Sequence, residues 1–111
     1  MHHGRIRTSI ETEFEVTGRR EKGKIKNVSE SGVFVGTASI PEQGEDVALN
    51  FRAPDGEEVK ISGLVWWTTD DCGGTRNRVP GFGLRLLDEN DEFRRFVAGL
   101  RGRSGMKRRA F

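Results

Sequence analysis

Short runs of alternating apolar residues, separated by turns, are the feature of this sequence that most limits its fold. Val47, Leu49 and Phe51 alternate with more polar neighbours, which is the pattern of a strand that buries one face. The same period of two recurs along much of the chain, and 15 glycines are available for turns and close contacts. We therefore expect a fold built mainly from short antiparallel strands rather than a helical bundle.

The periodicity predicts six strands and one late helix. The strands are expected at Ser9–Val16, 23–28, from Val33 onward, at Val47–Phe51, at Val59–Trp67 and from Gly81 onward. Gly63 is expected to bend or bulge the fifth strand, with Trp67 in the core and Trp66 on the opposite face. Helical spacing of apolar residues then predicts an amphipathic helix, with Asp88 or Asn90 as its N-cap and Gly102 at its end. Its apolar positions are Phe93, Phe96, Val97 and Leu100.

The length of 111 residues indicates one domain with one modest core. The expected fold class is mainly β, a six-stranded antiparallel barrel with one C-terminal α-helix. Residues 1–8 are predicted to form a flexible segment that carries arginines, residues 9–100 the barrel and helix, and residues 101–111 a disordered basic tail. The segment Thr68–Pro80 is polar and lacks periodicity, so it is predicted to be an exposed loop.

The charge distribution disfavours general nucleic-acid binding. Five of the 19 basic residues lie in 101–111, which leaves 14 basic against 17 acidic side chains in the rest of the chain. A mildly acidic body is not the surface of a general nucleic-acid binder. One alternative stays open, in which the basic tail contacts phosphates while Phe34 or Trp66 stacks on bases.

The sequence contains no pattern typical of catalysis, so we predict that the protein is not an enzyme. His2 and His3 are the only histidines and lie at the terminus, and the carboxylates cluster in turns. Cys72 is the only cysteine, so neither an internal disulfide nor a zinc site is indicated, and no cofactor or metal is expected. No apolar run has the length of a membrane span, and a cytoplasmic location is expected.

Three patterns in order resemble the PilZ domain family. The segment "NVSESG" fits the family's [D/N]-x-S-x-x-G motif through Asn27, Ser29 and Gly32. A later G-x-V-x-W pattern and a G-x-G strand also match, over roughly residues 5–100 in all. These patterns comprise Gly63, Val65 and Trp67, followed by Gly81 and Gly83. The asparagine variant further resembles a branch of the family found in gliding and other motile bacteria.

The resemblance implies a PilZ-like barrel that binds the second messenger cyclic di-GMP. The family holds this ligand between the motif strand and an R-x-x-x-R segment near the N-terminus, so the candidate binding residues are Arg5, Arg7, Asn27, Ser29 and Gly32. Arginine suits the ligand because it can bond guanine O6 and N7, pair with phosphate, or stack on a base. The asparagine amide can bond a purine edge, and glycine allows close approach of the backbone.

The arginine segment departs from the family pattern, since Arg5 and Arg7 are two residues apart and His3 stands four before Arg7. This departure predicts weaker binding, because each lost charge-assisted contact costs about 1.5 to 3 kcal/mol. Two hypotheses about the function therefore remain open. In the first, a cyclic di-GMP receptor relays the signal through contacts with a protein partner, in motility or surface behaviour. In the second, a degenerate adaptor binds only protein.

Overall fold

The computed structural model describes residues 5–69, 80–87 and 90–109, with the backbone alone for 101–109. The elements are β1 (Ile6–Val16), β2 (Arg19–Ser29), β3 (Gly32–Gly36), β4 (Asp46–Arg52), β5 (Glu58–Thr68), β6 (Gly81–Leu86) and α1 (Asp91–Arg109). The strands close into one barrel in the order β1-β2-β3-β6-β5-β4, with antiparallel pairing throughout. The predicted fold class, a mainly β antiparallel barrel with one helix, is confirmed.

The inward side chains of the strands fill the barrel, as their alternation requires. Phe14 and Phe82 meet edge to face at the centre, with ring centroids 5.2 Å apart. The strand residues buried in the core are Phe14, Val16, Ile25, Val28, Val33, Val35, Val47, Leu49, Phe51, Val59, Ile61, Val65, Phe82 and Leu84. Val28, Val33 and Val35, which flank the β2–β3 turn, therefore serve the core.

The helix closes the end of the barrel at which β2 meets β3. Asn90 caps it, because its Oδ1 accepts the Phe93 N–H at 2.8 Å while its Nδ2 donates to the Lys60 carbonyl at 2.7 Å. The Phe96 ring packs edge to face on Phe51, with centroids 4.9 Å apart. The cap thus anchors the start of α1 to β5, and the apolar face of α1 completes the core.

Several boundaries differ from the prediction. The first strand begins at Ile6, inside the segment predicted to be flexible, because Ile6 pairs with Val28 and packs against the core. A register irregularity between Arg7 and Ile10 interrupts the alternation of apolar residues. The start of β1 therefore could not be recognised from the sequence pattern. The second strand begins at Arg19 rather than residue 23, and the helix continues to Arg109, through most of the segment predicted to be a disordered tail.

The irregularity in β5 lies at Trp66 rather than at Gly63. Val65 pairs with Leu84 and Trp67 pairs with Gly83, so Trp66 is an extra residue in the ladder. The side-chain alternation shifts by one after this point. As a result Trp67, which we predicted in the core, lies partly exposed on the outer face.

Part of the loop predicted over Thr68–Pro80 lies outside the described residues, as do His2, His3 and Cys72. Among the described residues, no helix is both long enough and apolar enough to span a membrane.

Candidate ligand-binding site

The turn between β2 and β3 is built by its serines and a glycine. Ser29 Oγ accepts the Ser31 N–H at 3.3 Å, and the Ser31 carbonyl accepts the Leu86 N–H at 2.9 Å. A Cβ at Gly32 would collide with the Leu84 carbonyl oxygen, so a larger residue could not lie this close to β6. The motif therefore shapes a tight turn that is held against the end of β6.

Both N-terminal arginines lie beside Asn27. Arg7 is directly opposite Asn27 in the β1–β2 ladder, and Arg5 Nη1 donates to Asn27 Oδ1 at 2.7 Å. Ile6 between them faces the core opposite Val28, so Arg5 and Arg7 point to the outer surface. The structure brings two arginines and one asparagine together on the outside of the barrel.

An aromatic pair continues this outer surface across the sheet. Phe34 lies between Asn27 on β2 and Gly83 on β6, and Trp67 is the partner of Gly83 on β5. The Phe34 and Trp67 rings stack nearly parallel, with centroids 5.3 Å apart and planes 16° apart. Asn27, Phe34, Gly83 and Trp67 thus form one cross-strand row on the outer face.

The glycines of β6 explain why these rings can lie flat on the sheet. A Cβ at Gly83 would overlap the Trp67 indole, and one at Gly81 would lie 2.9 Å from Phe34 Cζ. The Trp67 indole therefore occupies space that a side chain at Gly83 would fill, whereas a side chain at Gly81 would collide first with the Val35 carbonyl oxygen. Gly81 and Gly83 thus permit close packing on the outer face as well as within the sheet.

A cation and an exposed indole form the other edge of this face. Trp66 is 51% exposed, and the Arg85 guanidinium carbon lies 4.7 Å from the centroid of its ring. An open depression of about 160 Å³ lies between this pair and the turn, with Ser31 and Gly32 in its lining. Arginines thus stand at both edges of the face, and planar rings and glycines lie between them.

This arrangement suits an anionic ligand with flat rings. Guanidinium groups bind phosphate and purine edges, and aromatic rings stack on bases without a hydrogen-bonding requirement. In the described part of the chain, no group of three or more His, Cys, Asp or Glu side chains could hold a metal ion.

All five residues singled out from the sequence lie on or beside the β2–β3 turn. Arg5, Arg7 and Asn27 converge, while Ser29 and Gly32 follow in the turn. Sequence reasoning did not find the Phe34–Trp67 stack or the Trp66–Arg85 pair. The glycines at alternate positions of β6 were the available signal, because they leave room for large side chains on neighbouring strands.

The fold and this face define a class: a small closed antiparallel barrel, capped by a helix, with a polar and aromatic site on its outer surface. The family model for the PilZ domain matches residues 1–99, so the chain belongs to the PilZ domain family. A comparison with curated proteins gave no significant match.

Three solved structures share this fold. The Bacillus subtilis inhibitor of motility MotI/DgrA has a TM-score of 0.76 at 15% identity, over 95% of this chain and 51% of that one. The Borreliella burgdorferi PlzA protein, solved in complex with c-di-GMP, has a TM-score of 0.66 at 17% identity, over 90% of this chain and 40% of that one. This chain therefore spans about half or less of the length of these two proteins.

A third structure, the PilZ domain of CeSA from a cellulose-synthesizing bacterium, has a TM-score of 0.60 at 19% identity. The match covers 88% of this chain and 94% of that domain.

Proposed function

We propose that this protein is a receptor for cyclic di-GMP, which it binds on the outer face beside the β2–β3 turn. The convergence of Arg5 and Arg7 on Asn27 carries the proposal, because it assembles the candidate binding residues from two separate segments of the chain. Membership of the PilZ family and the c-di-GMP complex of PlzA support this ligand. The arginines would bind guanine edges and phosphates, and Ser29 and Gly32 would let the ligand approach the backbone.

Binding is expected to be weaker than in a site with the R-x-x-x-R spacing. Arg5 already donates to Asn27 in the structure, so the ligand must compete for this guanidinium or share it. Arg7 then carries most of the charge-assisted contact.

Titration calorimetry tests the receptor function, with cyclic di-AMP as the matched control ligand. Adenine lacks the O6 acceptor of guanine, so arginine cannot bond it in the same bidentate way. We expect heat with cyclic di-GMP, weakening as salt is raised, and much less heat with cyclic di-AMP. Absence of heat at high micromolar cyclic di-GMP, with the protein folded, would reject the receptor function.

The output of the receptor is proposed to be contact with a protein partner. A groove of about 810 Å³ lies between α1 and the β2–β3 turn, lined in part by Ser31, Leu87, Phe93 and Val97. Leu87 is 56% exposed beside it. Ser31 in the turn thus lines both this mainly apolar groove and the open depression beside Trp66 and Arg85. The similarity to an inhibitor of motility favours a partner in motility or surface behaviour.

If the turn relays ligand binding, cyclic di-GMP should slow amide hydrogen exchange in the first turns of α1 by severalfold. The Ser31 carbonyl in the turn accepts the Leu86 N–H, and Asn90, four residues later in the chain, caps α1. A turn held in place by the ligand should therefore open less often at the start of the helix. Exchange mass spectrometry at saturating ligand measures the effect. Asn27→Ala at the same ligand concentration is the control and should show a smaller change. Unchanged exchange in α1 despite measured binding would reject this route.

The groove also favours the alternative function, an adaptor that binds its partner without the nucleotide. The candidate ligand residues Arg5 and Arg7 are not among the residues that line this groove. This function predicts that a partner is retained equally with and without cyclic di-GMP, whereas a receptor would show a difference.

A further inference from the structure

The Trp66–Arg85 pair lies outside the motif residues, and the core does not require it. Trp66 is the extra residue of β5, half of its surface is exposed, and it does not belong to the buried core cluster. An exposed indole of this size contributes little to folding in such a place. Half of the indole surface is therefore available for contact with a ligand.

The ladder places Arg85 in line with the motif turn. Ser29 pairs with Gly32, and Gly32 pairs with Arg85. Since neighbouring strands lie about 4.8 Å apart, Arg85 stands roughly 10 Å across the sheet from Ser29. Gly32 between them carries no side chain, and the backbone of β6 fills the place that a Cβ would take. The depression of about 160 Å³ lies here, and both Trp66 and Arg85 line it.

The chemistry of the pair suits a purine. The guanidinium already stacks on the indole at 4.7 Å, and both groups are planar and bind bases by stacking. The arginine also retains N–H groups for a phosphate or a guanine edge. Cyclic di-GMP carries two guanines on opposite sides of one sugar-phosphate ring. A ligand held by Arg5 and Arg7 at one base therefore presents a second base some distance away.

We propose that Trp66 and Arg85 form a second base-binding subsite, which takes the guanine remote from Arg5 and Arg7. This subsite rests on the proposed receptor function. The site then has two sides. One base lies at Arg5 and Arg7, the sugar-phosphate ring passes over Gly32, and the other base stacks on Trp66 and Arg85.

The test is the affinity for cyclic di-GMP of the full chain and four variants, by calorimetry and tryptophan fluorescence. Trp66→Ala should raise Kd about fivefold or more, because it removes a stacking partner for a base. Trp66→Phe keeps a ring and should largely restore affinity. Arg85→Lys keeps the charge but loses the plane, so its Kd should also rise. Arg20→Lys, a matched change at an exposed arginine of β2, should leave Kd unchanged.

Fluorescence separates a binding role from a structural one. Ligand should quench the emission of the wild type, and Trp66→Phe should lose most of this quenching while still binding, because Trp67 is stacked against Phe34. A purely structural Trp66 would change the melting temperature without changing Kd or the quenching.

The outcomes distinguish the two proposals. Wild-type protein that binds cyclic di-GMP, with Trp66→Ala and Arg85→Lys binding equally well, would overturn the subsite and leave the receptor function in place. Wild-type protein that does not bind cyclic di-GMP would overturn the receptor function and the subsite with it. Weakened binding in both variants, with Arg20→Lys unaffected, would establish the subsite.

Discussion

Replacing Arg7 with alanine should weaken cyclic di-GMP binding by about ten- to a hundredfold. Arg7 stands directly opposite Asn27 and faces outward. Arg5 donates a hydrogen bond to the Asn27 side chain, whereas the Arg7 side chain makes no hydrogen bond to Asn27. A charge-assisted contact to guanine or phosphate contributes about 1.5 to 3 kcal/mol, and its loss gives this range. Calorimetry with the folded variant measures the effect. Arg7→Lys should lie between the wild type and Arg7→Ala, since lysine keeps the charge but not the bidentate geometry.

The control for this prediction is Arg19→Ala. Arg19 lies at the start of β2, its side chain is 63% exposed, and its ion pair with Glu21 spans 3.7 Å. Such a surface pair contributes little to stability. Arg19→Ala removes the same charge from the protein, so a general electrostatic effect would appear in both variants. Equal affinities of Arg7→Ala and the wild type would place the ligand elsewhere on the barrel.

The fold could be predicted from the sequence because the alternating residues and the core positions coincide. Val47, Leu49 and Phe51 all point inward, and the helical set around Phe93 packs on the barrel end. Strand ends were harder to predict. The start of β2 lies outside the core, carries charged residues and pairs only with β1. It therefore shows no alternation of apolar residues that would identify it as a strand.

The site could be predicted only in part, for a related reason. Asn27, Ser29 and Gly32 lie within one six-residue segment, and a local motif reveals them. Trp67 was assigned to the core because parity was counted through Trp66, and a single extra residue there reverses the face of everything after it. Sequence inspection cannot locate such a bulge without knowing the partner strand. Contacts across strands, such as Phe34 on Trp67, depend on the same register.

Gly83→Ala should destabilise the protein by about 1 to 3 kcal/mol, although it adds only one methyl group. That methyl would overlap the Trp67 indole, so the ring must leave its stacked position against Phe34 or the strands must separate. Thermal unfolding measures the change, at roughly 4 to 8 °C of Tm for each kcal/mol. The near-ultraviolet circular dichroism of the tryptophans should change as well.

Two further variants isolate the cause. Gly99→Ala is the matched control, because nothing lies within 4 Å of a Cβ at this helical glycine. It should stabilise α1 by up to about 1 kcal/mol through helix propensity. Combining Gly83→Ala with Trp67→Ala should cost less than the sum of the two single changes, because the collision disappears with the indole. Strict additivity would mean that Gly83 is needed for strand geometry rather than for the ring, and the outer aromatic row would then not depend on the glycines of β6.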